Sequence, residues 1–227
     1  MPSLDIWHLS FSDVSDTRTT MEILSFEEQT KAKAFVKEED RKKYVVSHLF
    51  LRRVLSHYFP RISPKEWCFE ENAQGKPYLH TKHGITFHFN LSHSSHHAYI
   101  ICSEQYVCGI DIEESKNISL TEGLTALLFS EEELAIYKRL SAEKKERMFY
   151  LYWTLKEAYL KALGSGLMEL ELSTLNFEPF IDMYVNENHF KSKRHQYWSY
   201  CLGEGVFLSF CLLNSEEMIQ PKYLLVL

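Results

Sequence analysis

An α+β fold is predicted for this chain on three observations. Short apolar runs at the strand period of two open the sequence and recur between residues 67 and 113. Apolar residues spaced three and four apart fill two stretches, residues 25–58 and 119–163. The C-terminal third returns to alternating or continuous apolar runs. Runs of strands followed by runs of helices are the pattern of an α+β chain.

The elements follow in order. Leu4 to Phe11 reads as a strand. Ser25-Phe26-Glu27-Glu28 is a capping-box signal that opens a helix. A second helix is expected from Glu39 to Tyr58, with Val45, Leu49, Val54 and Tyr58 turned inward and Pro60 as its stop. Ser63-Pro64-Lys65-Glu66 is a further, short helix start. Strands are expected over 67–70, 85–91, 98–103 and 107–113, and helices over 119–128, 130–140 and 143–163. Further strands are expected over 181–190, 196–203, 205–213 and 222–227. No low-complexity linker or internal repeat is visible.

Composition narrows the function classes. With 227 residues and 45% hydrophobic content, the chain can bury one large or two small cores. A formal net charge of −6 excludes a general nucleic-acid binder, which needs a basic footprint. Five cysteines, at 68, 102, 108, 201 and 211, form no CxxC pair and lie mainly in apolar stretches, as reduced core residues do. Met1 to Trp7 lacks the basic-then-apolar pattern of a signal peptide, and no apolar run is long enough to span a bilayer. A soluble, cytoplasmic protein is expected.

The chemistry concentrates in four segments. In Val107-Cys108-Gly109-Ile110-Asp111-Ile112-Glu113, strand alternation sends Ile110 and Ile112 to one face and both carboxylates to the other. Paired oxygen donors at the end of an apolar strand suit a hard cation such as Mg²⁺; the plainer alternative is an edge strand with a solvated acidic face. A long helix beginning near Ser141 carries Met148, Leu151, Leu155, Ala158 and Ala162 on one buried stripe, with Trp153, Glu157 and Lys161 on the neighbouring stripe. Gly164 and Gly166 supply its stop. Glu157 and Lys161 fit either an exposed ion pair or, with Lys156, a metal-bound polyphosphate site. Gly75-Lys76-Pro77 reads as a turn entering an extended segment. Phe87 to Ser94 alternates and then breaks into a Ser/His cluster, where a protonated His93 beside Ser92 could grip a phosphate monoester.

In order along the chain, Gly75-Lys76-Pro77, Phe89-Asn90-Leu91-Ser92-His93-Ser94, Gly109-Ile110-Asp111-Ile112-Glu113 and Trp153-Thr154-Leu155-Lys156-Glu157-Ala158-Tyr159-Leu160-Lys161 resemble the motifs of Sfp-type 4′-phosphopantetheinyl transferases. The resemblance covers roughly residues 25 to 170. Each motif alone is weak evidence, and their order and spacing together are strong. It implies two similar α+β halves in pseudo-twofold arrangement, here residues 1–106 and 107–227, with coenzyme A in the cleft between them. Asp111, Glu113 and Glu157 match the Mg²⁺ ligands. Lys156 and Lys161 match residues near the coenzyme A phosphates, Ser92 and His93 match contacts to the 3′-phosphate, and Lys31 matches a further basic contact there. Gly75, Lys76 and Pro77 match the segment along the adenine. One end departs from the family: Glu28 and Tyr44 stand where the type member has a lysine and a threonine on the 3′-phosphate. Lys33, Arg41, Lys42 or Lys43 is left to supply the missing charge.

The implied reaction moves phosphopantetheine from coenzyme A to a serine of an apo acyl or peptidyl carrier protein, releasing 3′,5′-ADP. Asp111, Glu157 and Lys161 would be the catalytic group, and Glu157 would accept the serine proton directly or through a water. Carrier docking is expected on residues 129–148, where Lys138, Arg139, Lys144, Lys145 and Arg147 gather, and a monomer suffices because one chain holds both halves of the cleft. Two other readings use the same residues. An inactive coenzyme A or nucleotide-binding module would not need the whole acidic and basic set. A zinc protein could be built on His88, His93, His96 and His97, although no cysteine pair stands at ligand spacing.

Overall fold

Alternation along single strands sorts the molecule into layers. The computed structural model describes residues 3–14, 21–116, 120–165, 171–177, 185–192, 194–203 and 205–225. In β1 (Leu4–Ser10), Leu4 and Ile6 face a core shared with the second half of the chain, while Trp7 faces a core under a helix. Neighbouring residues of β5 (His97–Ser103) divide the same way, Ile101 to the shared core and Ile100 to the other.

The first sheet has the order β10-β1-β5-β4, where β4 is His88–His93 and β10 is Pro221–Leu225. The second has the order β6-β9-β8-β7, from Cys108–Glu114, Val206–Leu212, His195–Cys201 and Glu187–Ser192, with every pair antiparallel. Ile110 and Ile112 of β6 meet Leu4, Ile6 and Ile101 across the shared core, so the two sheets pack face to face. A small hairpin, β2 (Phe69–Glu71) and β3 (Pro77–Leu79), stands beside the first sheet.

A long helix covers the outer face of each sheet. In α2 (Glu38–Tyr58), Val45, Leu49 and Val54 are buried as predicted, and half-buried Tyr58 donates to Asp5 at 2.5 Å. In α5 (Ala142–Leu163), all five residues of the predicted stripe are at most 2% exposed. The capping box forms as predicted at α1 (Phe26–Ala34): Ser25 Oγ accepts from the Glu28 N–H, and the Glu28 carboxylate accepts from the Ser25 N–H. Two short helices, α3 (Glu122–Leu128) and α4 (Glu131–Lys138), precede α5. The molecule is therefore α+β, two halves each pairing a four-stranded sheet with one long helix.

The structure revises several expectations. The segment after Ser63 makes only a single 3₁₀ turn, Pro64–Glu66, and the strand expected over 67–70 is Phe69–Glu71 because buried Trp67 precedes it. Gly166, residues 181–184 of one expected strand and residues 226–227 of another lie outside the described residues. The final strand does not stay with residues 107–212. β10 crosses back and pairs in parallel with β1, Ile6 opposite Tyr223, so the last strand of the second half completes the sheet of the first. All five cysteines are free. No helix among the described residues is long and apolar enough to cross a membrane.

Candidate active site between the two sheets

The edge strands β4 and β6 lie side by side where the two sheets meet. Side chains of β4 tie them by bonding the backbone of β6. Asn90 Oδ1 accepts from the Ile110 N–H at 2.9 Å, and Ser92 Oγ accepts from the Ile112 N–H at 3.3 Å. Residues 90 and 92 share one face of their strand, so the period of two sets both bonds. Ser92 Oγ also donates to Asp111 Oδ1 at 3.0 Å.

The third wall is α5. Gly109 makes it possible: a Cβ there would stand 2.1 Å from the Ala158 carbonyl oxygen and 2.5 Å from the Ala162 nitrogen. Only glycine lets the helix approach β6 this closely. At that separation the Lys161 ammonium reaches Asp111 Oδ1 at 2.5 Å and Ser92 Oγ at 3.0 Å. Ser92, His93, Asp111, Glu113, Glu157 and Lys161, with Trp153, line one cavity of 330 Å³. Six of the residues singled out in the sequence thus meet where the halves join.

The acidic face of β6 is not solvated. β4 and α5 close over it, leaving Asp111 only 4% exposed. Burial first, then the Asp111 charge, pushes the Glu157 carboxyl up to about 7, against a counter-pull from Lys161. Glu113 is raised by the same two causes, with Lys116, Lys161 and a hydrogen bond from Trp153 pulling the other way. Asp111 Oδ2 and Glu157 Oε1 are both buried without a hydrogen-bond partner. Carboxylate oxygens orphaned inside a cleft are costly unless something positive fills it.

Among the described residues, no three His, Cys, Asp or Glu side chains are gathered closely enough to hold a metal ion. Asp111, Glu113 and Glu157 nonetheless line the same cavity. The Lys161 ammonium occupies the inner oxygen of Asp111. The donor set and the orphaned oxygens still suit a hard divalent cation. The same observation leaves the zinc reading without a gathered ligand set, and His96 is instead paired with Glu114 at 2.7 Å.

Other expected residues are placed elsewhere. Lys156 is fully buried on another face of α5, and its ammonium donates to Leu128 O at 2.7 Å, Glu133 Oε2 at 2.6 Å and Leu172 O at 3.1 Å. One residue along a helix turns a side chain by about a quarter turn, so Lys156 points toward α4 while Glu157 faces the cleft. Lys156 therefore ties α4 to α5 and does not face the cavity. Lys31 is exposed in an ion pair with Glu71 at 3.1 Å, outside the cavity lining. Gly75, at φ +82°, forms the tip of the β2–β3 hairpin. Lys76 and Pro77 border a separate 60 Å³ cavity.

At the departing end, Glu28 is consumed by structure. His48 at 2.9 Å and Arg52 at 2.6 Å hold its carboxylate. Burial would raise this carboxyl, but those hydrogen bonds, the Arg52 charge and the Ser25 N–H outweigh it and bring it down to about 2. His93 stands at the cavity rim. The protein around it and then Lys161 hold its imidazole below the ordinary value, with smaller pushes from His48 and Lys43. Among the lysines and arginine left open for the missing charge, Lys43 is thus close enough to act on His93. His48 was not singled out in the sequence because its only signal there is a position on an amphipathic helix.

Comparison with known proteins agrees with this geometry. Residues 107–211 match the model of the 4′-phosphopantetheinyl transferase superfamily, and residues 7–105 match that of the 4′-phosphopantetheinyl transferase N-terminal region. The chain is 35% identical over 151 residues to the 4′-phosphopantetheinyl transferase HetI of a Nostoc species, covering 65% of this chain and 62% of that protein. It is 31% identical over 151 residues to the 4′-phosphopantetheinyl transferase Sfp of Bacillus subtilis, covering 65% and 63%. A phosphopantetheinyl transferase of a Thraustochytrium species is 32% identical over 164 residues, covering 66% and 56%. The matched region spans about three-fifths of the length of these curated relatives. Two contiguous family models, one for each half of the cleft, place the chain in the 4′-phosphopantetheinyl transferase superfamily.

Proposed function

We propose that the chain transfers the 4′-phosphopantetheine group of coenzyme A to a serine of an apo acyl or peptidyl carrier protein, in a Mg²⁺-dependent reaction that releases 3′,5′-ADP. The observation that carries this reading is the cavity itself: orphaned carboxylate oxygens of Asp111 and Glu157 beside the Lys161 ammonium. A cleft between two halves suits a ligand as long as coenzyme A, which can span both.

Asp111, Glu113 and Glu157 would hold the Mg²⁺. The ion's contribution would be positive charge on the diphosphate as negative charge moves to the departing nucleotide. The serine oxygen forms a bond to the phosphorus on the pantetheine side, and the bond from that phosphorus to the bridging oxygen breaks. Lys161 presents a fixed ammonium to the phosphate oxygens, so no reorganisation is needed as charge shifts. Glu157, up to about 7, takes the serine proton directly or through a water at neutral pH. Metal ligation and protonation compete for that same carboxylate. His93 on the rim and Ser92 within the cavity are proposed to face the 3′-phosphate end, with Lys43 and His48 near enough for their charges to act on His93.

Docking of the carrier is proposed on α4 and the start of α5. A groove of 420 Å³ lies there, bordered by Lys116, Lys138 and Lys145 together with Leu134 and Tyr137. Arg147 is engaged differently from its neighbours: it donates to Val185 O and Asn186 Oδ1. Lys138 and Lys145 are therefore the better positions for charge reversal.

The test is incubation with coenzyme A, Mg²⁺ and a panel of apo-carriers, followed by intact-mass readout of the carrier. A gain of one phosphopantetheine group is expected with wild type and none with Glu157→Ala. Chelation should stop the reaction and added Mg²⁺ restore it. Tight coenzyme A binding with no modified carrier anywhere in the panel would instead mark an inactive binding module.

A further inference from the structure

The β2–β3 hairpin belongs to the first half, yet its tip grips the catalytic helix of the second. Four bonds build the tip: Asn72 N donates to Lys76 O at 3.0 Å, Gly75 N to Asn72 O at 2.9 Å, and Asn72 Oδ1 accepts from the Gln74 and Lys76 N–H groups at 3.0 and 2.8 Å. The Asn72 side chain thus fixes its own turn with its oxygen. Its nitrogen is left to point outward, and it donates to Gly164 O at 2.8 Å.

Lys76 reaches in the same direction. Its ammonium donates to Ala162 O at 3.0 Å and more weakly to Cys108 O at 3.4 Å. Ala162 is the residue after Lys161 on α5, and Cys108 begins β6, the strand of Asp111. A single cation therefore bridges the two elements whose side chains meet at 2.5 Å in the cavity. The last carbonyls of a helix lack partners within the helix and carry its negative dipole end, where a cation is favoured. Here the Leu160 and Lys161 carbonyls of that turn are satisfied locally, since Gly164 N donates to Lys161 O and Ser165 N to Leu160 O. Gly164 serves both ends of the contact: its φ is +74°, and a Cβ would stand 2.8 Å from Asn72 Nδ2.

We infer that Lys76, supported by Asn72, is a positioning residue: its side chain fixes the register of α5 against β6 and so sets the Lys161–Asp111 contact from outside the cavity. The inference rests on the transferase reading for its kinetic consequences, but the latch itself is a property of the fold. It assigns the Lys76 side chain a role apart from ligand contact, because its ammonium is spent on backbone carbonyls of both catalytic elements. Reacting groups displaced by about an ångström lose on the order of a hundredfold in rate, so loosening this register should be felt in turnover.

The test uses the full chain with Lys76→Met, which keeps the aliphatic stem and removes the donor, and Lys76→Arg, which restores one. Lys76→Met should lower kcat for carrier modification by about tenfold or more while the KM for coenzyme A stays within about twofold. Lys76→Arg should recover part of the loss. Amide exchange over residues 161–165 should quicken in Lys76→Met with no coenzyme A present. Should Lys76→Met fail to fold, Asn72→Asp keeps the turn acceptor, replaces the donor, and should give the same signature more weakly. A wild-type kcat, or a loss found entirely in the KM for coenzyme A, would overturn the inference. If wild type itself modifies no carrier, the transferase reading fails, while the exchange measurement still decides the latch.

Discussion

At the scale of single residues, two lysines five apart on α5 have opposite fates. Lys161 meets Asp111 at the cavity, whereas Lys156 is sealed against Glu133 with neither side chain exposed. A buried pair is costly to break, because the survivor keeps its charge without a partner. Lys156→Met should therefore lower stability by about 3 kcal/mol in urea titration, with much of the loss at α4. Lys161→Met removes an ammonium that is partly exposed, so it should cost less stability than Lys156→Met while lowering kcat by on the order of a hundredfold. Equal effects of the two substitutions on stability and rate would contradict these assignments. Glu28 makes a pH prediction of definite sign. Its folded carboxyl lies near 2 against an ordinary 4.5, so its contribution is complete above about 4.5 and is lost as pH falls through about 2. Wild type minus Glu28→Gln stability should shrink by about 3 kcal/mol across that window, read from urea midpoints at stepped pH. A pH-independent difference would mean that Arg52 and His48 do not hold the carboxylate as the structure has them.

At the scale of elements, the closest constraint is α5 on β6. Gly109→Ala would drive a methyl into backbone rather than into a flexible side chain, so the helix itself must move. We expect about 2 kcal/mol lost in thermal or urea unfolding together with a large fall in carrier modification, since the shift also displaces Lys161 from Asp111. Full stability with full activity would show that the packing yields more easily than the geometry says. This contact also marks where sequence reading stops. The alternation Ile110-Asp111-Ile112-Glu113 gave the strand and its inward isoleucines, and the Met148-to-Ala162 stripe gave the helix face, because both depend on local period alone. That α5 and β4 would close over the acidic face of β6 is a matter of packing between distant segments, which no local period carries. The same limit explains Lys156, whose motif position suggested phosphate while its helical angle sends it toward Glu133. Gly75-Lys76-Pro77 announced a turn, but not that the turn would reach across to the end of α5.

At the scale of the whole molecule, the halves are bound by more than a shared boundary in the chain. Leu4, Ile6 and Ile101 pack against Ile110, Trp198 and Phe210 in one core, Asn90 and Ser92 stitch β4 to β6, and β10 returns to the first sheet. Such coupling predicts that neither half unfolds alone, although the family models divide the chain near residue 106. Tryptophan placement allows a direct check, because Trp7 and Trp67 lie in the first half's own core and Trp153 packs on the second half's, while Trp198 sits in the shared core. Replacing Trp198 together with either Trp153 or the Trp7–Trp67 pair by phenylalanine leaves reporters confined to one half. Both reporter variants, each referred to its own circular-dichroism transition, should show fluorescence and backbone unfolding at one urea midpoint, as a two-state molecule requires. Ending the chain after Gln220 removes β10 and uncovers the edge of β1, and it should lower the midpoint of the Trp7 and Trp67 signal at least as much as that of Trp153. Fluorescence and backbone midpoints that separate in the intact chain would show two independently stable halves, and the cleft between them would then be a docking contact rather than a product of a single folding unit.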